Sequence, residues 1–157
     1  MMTIPRIYAD TSVFGGFYDE EFRDTSGRFF DQIREGRFSL VTSALVQEEI
    51  RPAPPDVQRL FSDMLRFMEV AEITQSALDL RDAYLEAGIV SAKWAEDALH
   101  VAVATVARST MIVSWNFKHI VHYDKISLYN AVNILKRHET ISIFSPLEVI
   151  VYEDENF

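Results

Sequence analysis

The sequence contains no cysteine. Disulfides are therefore excluded, and with them zinc ribbons, iron–sulfur clusters and cysteine nucleophiles. Long apolar runs are missing too, since no stretch approaches the roughly 20 residues of a membrane-spanning helix. The opening residues, MMTIPRIYAD, lack a basic segment followed by an apolar run, so no signal peptide is expected. These absences lead to the expectation of a cytoplasmic protein with no membrane association. Positive charge is scarce: 15 Lys and Arg face 24 Asp and Glu, for a net charge of −9. Nucleic-acid binders usually carry a basic stripe that neutralises phosphates, so this balance weighs against such a partner. Part of the excess sits in Glu153-Asp154-Glu155. Another part is available as metal ligands, whose charge a bound cation offsets.

What is present suits one folded unit. The 157 residues are 48% hydrophobic and 25% charged. A chain of this length buries roughly 70% of the surface its unfolded form exposes. No internal repeat or low-complexity segment divides it. Residues 1–150 are expected to form a single domain, followed by an acidic tail over residues 151–157.

Strand and helix signals alternate along this domain. Ile7 to Ala9 is a short apolar run before a turn-rich segment with Gly15-Gly16. A helix is expected from about Asp24 to Gly36, with Phe29, Phe30 and Ile33 on its apolar face. Phe38 to Thr42 reads as a strand, and Ser43 as the N-cap of a helix that Pro52 ends. Asp56 to Glu69 has helical spacing, Val70 to Ile73 is a strand candidate, and Thr74 to Ala87 is a helix closed by Gly88. Ser91 to Arg108 is apolar almost all round and should be largely buried. Met111 to Ser114, Asp124 to Arg137 and Ile141 to Phe144 complete the series as strand, helix and strand. Such alternation predicts an α/β domain with a mainly parallel central sheet and helices on both faces. Ligands in such sheets bind at the carboxyl ends of the strands.

Three acids occupy suggestive places along that series. Asp10 follows the first strand directly, Glu48 and Glu49 lie just after the second, and Asp97 opens the buried helix. Each also has a bland reading: Asp10 as a turn cap, the glutamates as solvated, and Asp97 as part of a polar stripe with Lys93, Glu96 and His100. Taken jointly, the acids can meet at one edge of the sheet. Clustered carboxylates repel and call for a cation. Hard oxygen ligands with few histidines suit Mg²⁺ or Mn²⁺, which activate water and stabilise charge on a phosphoryl group.

Four segments in order carry a resemblance to a known family. Ile7-Tyr8-Ala9-Asp10-Thr11-Ser12-Val13-Phe14 resembles the opening of PIN domains, a strand followed by Asp-Thr/Ser and an apolar pair. Val41-Thr42-Ser43, with Glu49 six residues on, is similar to their second motif. Ala95-Glu96-Asp97-Ala98-Leu99-His100-Val101-Ala102 resembles the third, and Ile112 to Ile120 the fourth. The resemblance implies a Mg²⁺- or Mn²⁺-dependent endoribonuclease, often the VapC-like toxin of a toxin–antitoxin pair. It implies Asp10, Glu49 and Asp97 as metal ligands, Glu49 being preferred to Glu48 by spacing, and Asn116 in the fourth site. Many relatives have an aspartate there, which raises the question of one metal or two. Glu96 is a candidate at the rim. RNA is the implied substrate and a small antitoxin protein the implied partner; a homodimer is expected only from the prevalence of two-fold assemblies. A phosphatase of the haloacid-dehalogenase type would need a second acid two residues after Asp10, where Ser12 stands. The remaining alternative is a catalytically weak or inactive PIN-like module that binds RNA or protein. His100, His119 and His122 read as packed or solvated, with a phosphate contact from His119 and Lys118 as the sharper option. Trp115 reads as a packing residue.

Overall fold

The computed structural model describes residues 3–152. Five strands, β1 (Arg6–Ala9), β2 (Ser39–Ser43), β3 (Met68–Ala71), β4 (Met111–Val113) and β5 (Ser142–Phe144), make one sheet. The order is β3-β2-β1-β4-β5, and every neighbouring pair is parallel. Ile7, Tyr8 and Ala9 of β1 are fully buried, as are nearly all of Leu40 to Ser43 of β2. Strands covered on both faces cannot alternate apolar with polar, which explains their continuous apolar runs.

Among the described residues, eight helices connect and flank these strands: α1 (Thr11–Gly16), α2 (Arg23–Arg34), α3 (Ala44–Ile50), α4 (Pro55–Met64), α5 (Gln75–Glu86), α6 (Ala95–Val106), α7 (Tyr123–Leu135) and α8 (Pro146–Val149). The chain moves outward from β1 to β2 and β3, then returns through α5 and α6 to β4 on the far side of β1. Right-handed crossovers run in opposite directions place their helices on opposite faces of the sheet. Accordingly α1, α2, α3 and α4 pack among themselves, and α5 packs on α6 and α7. The reversal opens a crevice between the carboxyl ends of β1 and β4, where open α/β sheets bind ligands. Asp10 and Ser114 are the first residues beyond those two strands.

Local signals fix most boundaries. The Ser43 hydroxyl accepts from Val46 N at 3.3 Å to cap α3, and Thr74 caps α5 through Ala77 N at 3.2 Å. Gly36 and Gly88 end α2 and α5 with φ of +83° and +76°, where a side chain would be strained.

The structure differs from the sequence reading in four places. Residues 11–16 are a short helix rather than a turn, because the Asp10 side chain caps them through Ser12 N. The helix expected over residues 56–69 stops at Met64, a 3-10 turn covers Leu65–Phe67, and β3 starts at Met68. A 3-10 turn over Ala92–Trp94 precedes α6. Finally α8 was not foreseen, although Ser145 and Glu148 form a capping box around Pro146. Beyond it, both backbone groups of Val151 pair with the Gln32 side chain at 2.8 Å. The acidic run Glu153-Asp154-Glu155 lies outside the described residues.

Candidate active site

Asp10 sits at the mouth of the crevice and is only 4% exposed. Its Oδ1 accepts from the hydroxyl of Ser12 at 2.5 Å and from Ser12 N at 3.1 Å. Its Oδ2 accepts from the Ser114 hydroxyl at 2.7 Å. Ser12 Oγ in turn accepts from Trp115 N at 2.8 Å, and Ser114 Oγ from Asn116 N at 2.9 Å. The loop after β4 is thereby laced to the loop after β1, with the carboxylate in the middle. All these donors are neutral. Burial pushes the carboxyl of Asp10 above its ordinary range, against the pull of His100 and the two serine hydroxyls.

Glu49 reaches the same region from the last turn of α3. Its Oε1 accepts from the Thr11 hydroxyl at 2.5 Å and lies 2.7 Å from Nε2 of His100. The neighbouring Glu48 faces solvent and pairs with Arg51 at 3.1 Å. The two side chains diverge because successive helical residues point about 100° apart.

His100 projects from α6 into this space and is 2% exposed. Its Nδ1 is 2.8 Å from the Tyr8 hydroxyl, which is itself 2.8 Å from Ser43 Oγ. Burial alone would push the imidazole down. The hydrogen bond to Glu49, together with the charges of Asp10, Glu49 and Asp97, outweighs burial and raises it. The same contact holds Glu49 below its ordinary value despite the burial that would raise it. His100 in its charged form donates from both nitrogens, to Tyr8 and to Glu49. It is the electrostatic neighbour that the three carboxylates share.

Asp97 lies in the first turn of α6, where an acid complements the helix dipole. Its Oδ2 is 2.8 Å from Nδ1 of His119. That imidazole belongs to the loop after β4, and the Tyr129 hydroxyl donates to its backbone carbonyl at 2.8 Å. Trp94 covers the ring at 4.5 Å between centroids. Along the outside, Glu49, Glu96, Asp97, Trp94, Lys93 and Arg81 line an open cleft of about 550 Å³.

The remaining sequence candidates are placed as follows. Asn116 is partly buried, and its side-chain oxygen accepts from His119 N at 2.9 Å, capping the turn that carries His119. Lys118 lies over the Trp94 ring, and His119 beside it is buried. Trp115 is buried, stacks on Phe22 at 4.2 Å and donates to Ser26 at 2.9 Å. A Cβ on Gly16 would stand 2.7 Å from its ring, which explains that glycine. The residues that sequence reasoning did not single out for the site are Ser12, Ser114 and Thr11, and His100 takes the packed of its two readings. His100 in particular is not part of a solvated stripe with Lys93 and Glu96. The signal for the serines was present, since Ser114 directly follows β4 and Ser12 stands two residues after Asp10.

The chemistry of the site suits a hard divalent cation. A buried carboxylate whose hydrogen-bond donors are all neutral, sharing the charge of His100 with two more carboxylates, leaves the site net negative. The spacing is looser than the chemistry: among the described residues, no three histidine or acidic side chains stand close enough to form a coordination set.

By sequence, no family model and no curated protein matches the chain. By structure, it is similar to VapBC2 from Rickettsia felis, solved bound to a DNA fragment from its promoter. That match has a TM-score of 0.57 and 13% identity, over 88% of this chain and 96% of the other. FitAcB from Neisseria gonorrhoeae matches with a TM-score of 0.57 and 12% identity, over 91% and 99% of the two chains. VapC20 from Mycobacterium tuberculosis, a toxin described as cleaving the sarcin–ricin loop, matches with a TM-score of 0.50 and 15% identity over 72% and 92%. At such identities the likeness shows the fold: this is the α/β fold of the VapC- and FitB-type PIN domains.

Proposed function

We propose that the chain is a metal-dependent endoribonuclease, acting as the toxin of a VapBC-type toxin–antitoxin pair. The observation that carries this reading is Asp10, a buried carboxylate at the switch point of the sheet with no cationic hydrogen-bond partner. The fold it shares with VapC20, a toxin described as cleaving RNA of the sarcin–ricin loop, supports the same reading.

In this proposal Asp10, Glu49 and Asp97 would hold Mg²⁺ or Mn²⁺, which would supply Lewis-acid and water-activating chemistry for phosphodiester hydrolysis. The chain's own groups set up that chemistry. Ser12 and Ser114 fix both oxygens of Asp10. Thr11 and His100 hold Glu49, and His119 holds Asp97. Each ligand therefore has an outer partner that orients it, an arrangement whose loss typically weakens metal sites ten- to a hundredfold. Asn116 acts in the fourth position through the turn it caps. The proposed substrate is RNA. A small antitoxin protein is the proposed partner, on the ground of the VapBC2 and FitAcB structures. A homodimer is proposed from the prevalence of two-fold assemblies. No helix among the described residues is long and apolar enough to cross a membrane, and a cytoplasmic location is proposed with the toxin role.

The second reading, a weak or inactive PIN-like module that binds RNA or protein, is favoured by the loose spacing of the acids and by Asn116. A cleavage assay on structured and unstructured RNAs, titrated with Mg²⁺ and Mn²⁺ and run beside Asp10→Asn, separates the two. Cleavage that requires metal and vanishes in Asp10→Asn supports the nuclease. RNA binding without cleavage at any metal concentration supports the module.

A further inference from the structure

Trp94 is the unusual residue at the rim of the cleft. It is 38% exposed, whereas Trp115 is buried. Two lysines converge on its ring: Nζ of Lys93 lies 5.1 Å and Nζ of Lys118 5.8 Å from the centroid. They come from different parts of the chain, one from the 3-10 turn before α6 and the other from the loop after β4. The ring itself is held in place by His119, 4.5 Å away, which bonds Asp97 at 2.8 Å. An exposed, immobilised indole with two ammonium groups thus stands one side chain away from the third carboxylate of the site.

We infer that Trp94, with Lys93 and Lys118, is a platform for single-stranded RNA, stacking one base beside the scissile phosphate while the lysines take the adjoining phosphates. The inference rests on the nuclease reading for the identity of the polymer. The exchange of contacts favours it. An exposed cation–π contact is among the weaker attractions of a protein surface, and stacking of a base on an aromatic face is stronger. A base that takes the indole face frees an ammonium group for a phosphate, which attracts it more strongly than a ring does. The platform also answers the overall charge of −9, because it concentrates cations where the nucleic acid must approach. A duplex hides its base faces, so the platform selects single strands, loops and splayed ends.

The test is binding of a fluorescein-labelled single-stranded RNA of about ten nucleotides, read by anisotropy in an Asp10→Asn background, so that affinity is measured without cleavage. Adding Trp94→Ala is expected to weaken binding roughly 5- to 150-fold, and Trp94→Tyr to restore most of it. Adding Lys93→Ala and Lys118→Ala together is expected to flatten the slope of log K against log salt by about 1.4. A matched RNA duplex should bind weakly and ignore Trp94. Unchanged affinity in Trp94→Ala, absence of single-strand binding, or displacement by a polyglutamate peptide but not by unlabelled RNA would overturn the platform. Its failure is separable from failure of the nuclease reading. Wild-type cleavage with Trp94-independent binding removes the platform alone. Trp94-dependent binding with no cleavage by the wild type keeps the platform and removes the nuclease.

Discussion

Nε2 of His100 stands 2.7 Å from Oε1 of Glu49, so a buried imidazole occupies the middle of an acidic site. The sign of each shift sets the pH response. The raised value for His100 makes a stabilising contribution that is complete below the ordinary histidine value and lost as pH rises through the folded one. The lowered value for Glu49 makes one that is present above the ordinary glutamate value and lost as pH falls through the folded one. The metal-free protein is therefore expected to be most stable in the mildly acidic range between them. Thermal melts from pH 4 to 9 in EDTA should show this maximum, and His100→Gln should flatten its alkaline side. Identical profiles for the two proteins would detach His100 from the pair.

Asp10 shifts the opposite way from Glu49 and acts with the same sign as His100. Burial raises its carboxyl, so its ionisation is a destabilising burden as pH rises through the folded value. Asp10→Asn keeps the oxygen that accepts from Ser12 and removes the charge. The metal-free variant is expected to melt higher than wild type at pH 7, by roughly 2–4 °C for each kcal/mol relieved. Its ribonuclease activity should be lost, as should that of Asp97→Asn. Melting well below wild type in Asp10→Asn would instead make the acid a structural partner of Ser12 and Ser114.

Mg²⁺ or Mn²⁺ should bind the folded chain alone, because unfolding scatters the three carboxylates. At 100 times its dissociation constant such a ligand adds about 2.7 kcal/mol by mass action. At roughly 2–4 °C per kcal/mol in a chain of this size, the melting temperature should rise by about 5–10 °C. Scanning calorimetry with millimolar Mn²⁺ and with EDTA checks it. Coincident curves would remove the metal from the proposal.

Glu49→Gln is expected to cost at least tenfold more activity than Glu48→Gln. Glu49 contacts Thr11 and His100, whereas Glu48 contacts only the exposed Arg51 among the partners described here. Glutamine keeps the length of the side chain but removes the charge that holds the His100 proton. Steady-state cleavage rates of the two variants decide it, and equal small losses would move the second carboxylate elsewhere, to Glu96 first.

Most strands, and the positions of Asp10 just beyond β1 and Asp97 in the first turn of α6, were legible because their signals are local. A buried parallel strand needs an unbroken apolar run, and Asp10 follows one directly. His100 takes the packed of its two readings rather than the solvated one. A stripe of Lys93, Glu96 and His100 presumes one helix of 3.6 residues per turn from Ser91 onward. The chain instead makes a tighter 3-10 turn over Ala92–Trp94 before α6 starts at Ala95, which shifts Lys93 off that stripe. His100 is buried by its depth along α6, where every residue from Ala98 to Thr105 is buried, while Lys93, Trp94 and Glu96 stay outside. β3 was displaced for a related reason: as an edge strand it buries only Ala71 fully, so no apolar alternation marks its start.

Asn116 gives the last prediction, because the structure assigns its side chain a definite task. Its oxygen accepts from His119 N at 2.9 Å, and His119 holds Asp97. Asn116 therefore reaches the proposed metal site at one remove, through the turn. Aspartate can make the same cap with a charged acceptor, which shortens and strengthens such bonds. Asn116→Asp should keep the turn, add a fourth negative charge beside three others, and bind metal more tightly, with room for a second ion. Asn116→Ala should lose about 1 kcal/mol of stability with the hydrogen bond. It should also lose ten- to a hundredfold in activity as His119 and Asp97 loosen. Calorimetric metal titration of the three proteins, beside their cleavage rates, distinguishes these outcomes. Equal stoichiometry, affinity and rate in all three would leave Asn116 as a turn cap and nothing more.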